Sequence, residues 1–189
     1  MDWQRYSYLI FDFDGVLADT NEIRIQGFQV IFRDYPADEV EQILAFARLN
    51  GGVSRYDKIR HFFNHIRGEE IGEDQVNHWA REYSRAVKQA VIDAKPVAGS
   101  LEFLERYHGQ FPFGLISASD QAELRDVCRQ RKIDRYFVEI LGSPALKAEN
   151  IQRLLSGQGW RAQQCLFIGD TQNDCDAARR AGVDFLGRN

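Results

Sequence analysis

Tyr8-Leu9-Ile10-Phe11-Asp12-Phe13-Asp14-Gly15-Val16-Leu17-Ala18-Asp19-Thr20 is the stretch around which the rest of the chain is organised. Its apolar run, Tyr8 to Phe11, stops at two carboxylates two residues apart, and a glycine follows at once. The run reads as a buried strand, with Asp12 and Asp14 where it leaves the sheet. Strand alternation puts both carboxylates on one side unless the chain is already turning. Two neighbouring carboxylates repel one another unless a cation or a shared proton relieves them. An acidic loop that merely ends a strand competes with a built anionic site, and the remaining sequence decides between them.

From Thr20 to about Lys95 the pattern is helical throughout. Glu22 to Arg33 carries Ile23, Phe28, Ile31 and Phe32, and Pro36 stops it. Asp38 to Leu49 follows, with Asp38 near its start where the helix dipole favours an acid. Asn50-Gly51-Gly52 is a break, and Arg55 to Arg67 reads as a third helix closed by Gly68. Glu73 to Ala94 is the longest and most periodic, with Val76, Trp79, Tyr83, Val87, Ala90 and Val91 three or four apart. Four helices without a strand read as a small bundle.

Pro96-Val97-Ala98-Gly99 marks the return to the first unit. Helices are then expected at Leu101–Tyr107, Glu123–Arg131, Glu149–Leu155 and Asp174–Ala181. Strands are expected at Phe113–Ile116, Phe137–Leu141, Leu166–Ile168 and Val183–Leu186. This alternation predicts an α/β fold, a Rossmann-like parallel sheet with helices on both faces. The helical bundle is inserted after its first strand. Residues 1–19 and 96–189 form the α/β unit and residues 20–95 the insertion. In such sheets a ligand sits outside the carboxyl ends of the strands.

Three further places fall at those ends. Gly114-Leu115-Ile116-Ser117-Ala118-Ser119 finishes the second strand, and the Ser117 hydroxyl and the Ala118 N–H can donate to an oxyanion. Serines there are also common turn residues. Lys147 opens a helix, where a cation opposes the helix dipole unless an anion lies in front of it. Leu166-Phe167-Ile168-Gly169-Asp170-Thr171-Gln172-Asn173-Asp174 again ends a strand in carboxylates. Asp174 can cap the next helix, whereas Asp170 precedes the turn and has no such role.

These four stretches, in this order, resemble the four motifs of the haloacid dehalogenase-like hydrolases. The first, Asp12-x-Asp14-Gly15-Val16-Leu17-x-Asp19-Thr20, and the fourth, Leu166 to Gly182, are the most specific. The family often has Pro after the motif lysine, where this chain has Ala148. The resemblance covers nearly all of the chain outside the insertion, whose position matches the branch with a helical cap. It implies a Mg²⁺-dependent phosphatase. Asp12 would be the nucleophile and Asp14 the acid and base. Mg²⁺ would be held by the Asp12 carboxylate, the Asp14 backbone carbonyl and Asp170, with Asp174 direct or through water. Ser117, the Ala118 N–H and Lys147 would stabilise the phosphoryl oxygens. The family's dehalogenases and phosphonate-cleaving members lack an Asp at the position of Asp14, so its presence favours phosphate esters.

Within the insertion, Leu49-Asn50-Gly51-Gly52-Val53-Ser54-Arg55 is similar to the specificity loop of the β-phosphoglucomutases. In them the arginine binds the phosphate that is not transferred, which makes Arg55 a candidate substrate ligand. The alternative is a helix start with Ser54 as N-cap. The mutases carry a His at the position of Arg24, and its replacement makes water the expected acceptor. A phosphosugar mutase is the second reading, and a non-catalytic binding protein on the same fold is the third. A retired enzyme is expected to have lost some of Asp12, Asp14, Lys147 or Asp170, and all four are present.

Composition excludes other classes. The 189 residues suit one domain with an insertion, and 44% hydrophobic with 28% charged residues is ordinary for a globular protein. A net charge of −4 gives no basic face for nucleic acid, so positive potential for an anion must be made locally. Cys128, Cys165 and Cys175 are odd in number and without zinc-pair spacing, which predicts reduced thiols and a cytoplasmic protein, with Cys165 in the core. The polar opening, with Asp2 and Arg5, does not read as a signal sequence, and no apolar run reaches the roughly 20 residues of a membrane span. His61 and His65, four apart, lack a third ligand and are expected to pack on the bundle surface. The expected partner is a small phosphorylated metabolite, and the expected state is a monomer or homodimer.

Overall fold

The computed structural model describes residues 5–188; the segment from Met1 to Gln4 lies outside them. Five strands form one sheet: β1 (Tyr8–Phe11), β2 (Phe113–Asp120), β3 (Phe137–Ser143), β4 (Cys165–Gly169) and β5 (Asp184–Gly187). Their spatial order is β3-β2-β1-β4-β5 and every pairing is parallel. The first strand of the sequence is therefore the central one. β2 and β4 flank it, so the chain ends of the three middle strands meet at one edge.

Alternation sorts the strand residues onto two faces. Leu9, Phe11, Phe113, Leu115 and Leu166 join one buried cluster, while Ile10, Ile116, Leu141 and Phe167 join the other. The second cluster is closed by α7 (Lys147–Gln158) and α8 (Gln172–Ala181), with Tyr8 stacked on Trp160 at 4.6 Å. The first runs over α5 (Ser100–Tyr107) and α6 (Gln121–Gln130), and on without a break into the helical insertion.

The insertion consists of α1 (Asn21–Ile31), α2 (Ala37–Leu49), α3 (Arg55–His61) and α4 (Glu73–Asp93). Its centre is aromatic. Phe32 stacks on Phe62 at 3.9 Å, and Tyr35, Phe63 and Trp79 surround the pair. Each such ring contributes about 1.5–3 kcal/mol when fully buried. Gly27 lets α1 approach α4, because a Cβ there would lie 2.4 Å from Val87 Cγ1. Arg131, at the end of α6, donates to the carbonyls of Val91, Ile92 and Ala94 and so closes the carboxyl end of α4. His61 stacks on Phe46 at 3.6 Å, as a packing residue.

Two expectations are corrected. The helix expected over Arg55–Arg67 changes at Phe62 into a wider π-helical segment, Phe62–Arg67. Phe62 and Phe63 are both buried, and the wider turn lets two consecutive rings face inward. The second strand continues past Ile116 to Asp120, so Ser117 lies inside it rather than at its end. Of its last residues, Ser119 donates to Asp14 in the site, and Asp120 is the N-cap of α6, accepting from the Glu123 N–H.

Candidate active site

A cavity of about 280 Å³ opens at the carboxyl edge of the sheet, between the strand ends and the insertion. Asp12, Asp14, Ser117, Ala118, Lys147, Asp170 and Arg55 all line it. Seven of the eight residues singled out from the sequence thus share one wall space. The eighth, Asp174, is fully buried just behind.

Asp12 follows β1 directly. Its Oδ1 accepts from the Phe13 N–H at 2.7 Å and its Oδ2 from Lys147 Nζ at 2.9 Å. Burial pushes the Asp12 carboxyl well up; Lys147 opposes this, and Asp174 and Asp14 add to it. Lys147 is the first residue of α7 and is buried. Burial works against its ammonium, but the carboxylates of Asp12 and Asp174 outweigh burial and hold it charged. A cation at a helix start is thereby explained by the two anions it faces. Asp174 also forms the capping box of α8 with Thr171, accepting from the Thr171 N–H at 3.0 Å and from its hydroxyl at 2.6 Å. Both readings of Asp174, helix cap and member of the acidic cluster, describe the same side chain.

Asp14 turns away from Asp12 toward the insertion. Its Oδ1 accepts from Thr20 Oγ1 at 2.5 Å and Arg24 Nε at 2.9 Å, and its Oδ2 from Ser119 Oγ at 2.9 Å. Burial raises its pKa, but the Arg24 charge and these three donors more than offset this and leave it below the usual carboxylate range. Gly15 makes the turn directly after the two acids possible. Its φ is +73°, and a Cβ there would fall 2.0 Å from Asp170 Oδ2.

Carboxylate oxygens of Asp12, Asp170 and Asp174 come within 4.8 Å of one another. Asp170 Oδ2 accepts from Asn21 Nδ2 at 2.7 Å, whereas its Oδ1 is buried without a hydrogen-bond partner. Burial and Asp174 push the Asp170 carboxyl up, against the Asn21 bond. A buried orphan oxygen inside a crowded set of hard oxygen donors fits a divalent cation such as Mg²⁺. Ser117 is buried and accepts from the Ser119 N–H at 3.1 Å, which leaves its hydroxyl hydrogen to donate.

Arg55 begins α3, after Ser54, whose hydroxyl accepts from the Asp57 N–H as N-cap. Its guanidinium is turned to Glu123 of α6, at 2.6 and 2.9 Å, and to Ser84 of α4 at 2.5 Å. Among the polar residues of this wall, Asn21, Arg48, Lys58, Ser119 and Tyr83 are not singled out by the sequence. Two carry a readable signal. Ser119 lies two beyond Ser117, on the same strand face, and Lys58 lies three beyond Arg55, on the same helix face. Glu123 and Arg24 are joined only by the fold.

The sequence model described as haloacid dehalogenase-like hydrolase matches residues 9–188. The chain is 28% identical to a 5'-nucleotidase of Pseudomonas aeruginosa, over 97% of this chain and 82% of that protein. It is 24% identical to the fructose-1-phosphate phosphatase YqaB of Escherichia coli (strain K12), over 97% of each. Its fold matches that of the haloacid dehalogenase-like family protein SP0104 from Streptococcus pneumoniae with a TM-score of 0.72, at 21% identity, covering 97% and 85% of the two chains. No helix among the described residues is long and apolar enough to cross a membrane. The chain belongs to the haloacid dehalogenase-like hydrolases.

Proposed function

We propose that the chain is a Mg²⁺-dependent phosphoric monoester hydrolase, which cleaves a small phosphorylated metabolite through an aspartyl-phosphate on Asp12. The observation that carries this is the pairing of Asp12 with Lys147 at 2.9 Å, beside the orphaned Asp170 Oδ1. It supplies a nucleophile, a fixed cation and a place for a second cation in one cavity. The likeness to a 5'-nucleotidase and a sugar phosphatase supports the same reading.

In this reading Asp12 Oδ attacks phosphorus and the ester oxygen leaves. Asp14 protonates that oxygen, then takes a proton from the water that hydrolyses the phospho-enzyme. Ser117, the Ala118 N–H and Lys147 hold the equatorial oxygens. Mg²⁺ would be held by Asp12, the Asp14 carbonyl and Asp170, with Asp174 direct or through water, and when bound it supplies positive charge at the phosphoryl oxygens. Residues 20–95 act as a cap that excludes water and selects the substrate. Arg55 belongs to the substrate wall of that cap. The position of Arg24 favours hydrolysis over mutase chemistry: a guanidinium bonded to Asp14 replaces a group able to activate a sugar hydroxyl.

The test is phosphate release from 4-nitrophenyl phosphate, with Mg²⁺ and with chelator, by the native chain and by Asp12→Asn. Turnover that needs Mg²⁺ and vanishes in the variant supports the reading. Equal turnover in chelator, or full activity in the variant, overturns it.

A further inference from the structure

The cap side of the cavity carries more positive charge than the chain itself answers. Arg24 is bonded to Asp14 and, through Nη1 at 2.7 Å, to Glu123. Arg55 is bonded to Glu123. Lys58 lines the same cavity, is 9% exposed, and has no hydrogen bond or ion pair among the described residues. Its contact with Phe28 is at the outer limit of a cation–π interaction, with Nζ 5.9 Å over the centroid of the ring. Arg48 also lines the cavity and is paired with Glu22 at 3.5 Å, so on this wall four cations meet three carboxylates, Asp14, Glu123 and Glu22. A second donor is also left over: Arg24 Nη2 is buried and has no partner.

Buried ammonium groups are rare unless paired, because desolvation is not repaid. Arg24 and Lys58 both line the cavity, so a ligand entering it can supply what they lack. Their place in the cavity shows which part of a ligand that is. The transferred phosphoryl group has its own donors, Ser117 and Lys147, around Asp12. Asp14, the group that protonates the leaving oxygen, is bonded to Arg24 at 2.9 Å. Arg24 and Lys58 are thus on the leaving-group side.

We infer that the leaving group of the substrate carries a second anion, a carboxylate or a phosphate, received by Lys58 Nζ beside the Arg24 guanidinium. This rests on the phosphatase reading above and narrows its substrate class to esters with an acidic group beyond the scissile phosphate. Lys58 and Arg24 are specificity residues in this account.

Two matched pairs of esters test it, each with Mg²⁺. 3-Phosphoglycerate and glycerol 3-phosphate differ by a carboxylate. Fructose 1,6-bisphosphate and fructose 1-phosphate differ by a phosphate. The acidic member of one pair is expected to have a kcat/KM at least about tenfold higher, the scale of one charge-assisted hydrogen bond. The pair that shows it identifies the anion. Lys58→Met is expected to bring that ratio to near one, and Lys58→Arg to retain most of it. The Tm of Lys58→Met is expected to change little, because the internal contact it loses is the long one to the Phe28 ring. No preference in either pair overturns the inference, as does an equal loss on both members in Lys58→Met, or a lowered Tm with the preference intact. If no ester and no aryl phosphate is turned over, the phosphatase reading fails separately. Calorimetric binding of 3-phosphoglycerate against glycerol 3-phosphate, and of the fructose pair, to the native chain then decides by the same ratio.

Discussion

Glu123 Oε2 accepts a hydrogen bond from Arg55 Nη1 at 2.6 Å, and both side chains are buried. The bond joins α6 of the sheet layer to α3 of the insertion. Arg24 of α1 reaches the same carboxylate through Oε1 at 2.7 Å. One acid therefore ties two helices of the insertion to the edge of the sheet. Nearby, Tyr56 donates to Asp120 at 2.8 Å and Asn173 to the Gly52 carbonyl at 2.6 Å, which adds to the bonds that Arg131 and Asn21 make across the same boundary.

Glu123→Gln removes the charge and leaves two buried guanidiniums. Removing one partner of a buried ion pair costs about 3–5 kcal/mol, which in a chain of this length is a Tm fall on the order of 10 °C. The pH dependence has a definite sign. Burial raises the Glu123 pKa, but the bonds from Arg55 and the charge of Arg24 outweigh it and hold it far below the usual range. A depressed carboxylate adds stability that is present above its unfolded value, about 4.5, and lost as pH falls toward the folded one. Thermal melts of the native chain between pH 7 and pH 3 are expected to fall with acid, and those of Glu123→Gln to fall less steeply. Equal slopes would remove Glu123 from the account.

Much of this arrangement is legible in the sequence, and the part that is not has a physical cause. Asp12, Asp14 and Asp170 follow apolar runs, and a strand end in a parallel sheet is a fixed address, whereas Ser117 follows such a run inside β2. Lys147 declares itself by standing at the wrong end of a helix dipole. Glu123 is silent because an acid in the first turn of α6 is what any exposed helix would carry. Only the packing of α3 and α1 against that turn buries it. Arg24 is visible as a departure from a family pattern, but its bonds to Asp14 and Glu123 depend on how α1 lies across the sheet. Side chains whose partners come from distant elements have no local signature.

Asp14→Asn separates the two half-reactions. The 4-nitrophenolate of an aryl phosphate leaves without protonation, whereas the hydrolytic water needs a base. Loss of general acid–base help costs about 10²–10⁴-fold, and here it falls on the second step. The variant is expected to accumulate phospho-enzyme from 4-nitrophenyl phosphate, seen as an added phosphoryl mass on the intact chain and as one stoichiometric burst of nitrophenolate. A slow variant that stays unmodified would place Asp14 in the first step or outside the chemistry.

Mg²⁺ and Asp170 can be examined without turnover. The Asp12 and Asp170 carboxyls are both raised by burial, and Asp174 adds to each. A raised carboxylate loses stability as pH rises from its unfolded value toward its folded one, so the metal-free chain is expected to be strained at neutral pH. A bound cation relieves this and adds about 2.7 kcal/mol at one hundred times its dissociation constant. Saturating Mg²⁺ is therefore expected to raise the Tm of the native chain by roughly 5–10 °C. Asp170→Asn is expected to melt no lower than the native chain in chelator and to lose most of the Mg²⁺ shift. A full shift in Asp170→Asn would show that the cation binds elsewhere.

Lys58 gives the substrate preference a pH limit. Burial lowers its pKa, Lys147 and Arg24 repel its charge, and Asp14 alone among these neighbours supports it, with the balance at about 8. The ammonium form, which would receive a second anion, is therefore complete below about pH 7 and is lost as pH rises through 8. Arg24 stays charged over the whole range, because Asp14 and Glu123 hold its guanidinium protonated against burial. The kcat/KM ratio of the favoured acidic ester to its counterpart without the second anion is expected to be flat below pH 7. Above pH 8 it is expected to fall by up to about tenfold per unit, the limit for one titrating group. Taking the ratio cancels the titration of Asp14 and of the nucleophile, which act on both esters alike. Lys58→Arg should abolish the fall, since a guanidinium stays charged throughout. A native ratio that is flat to pH 10 would mean that the second anion, if recognised, is held by Arg24 without Lys58.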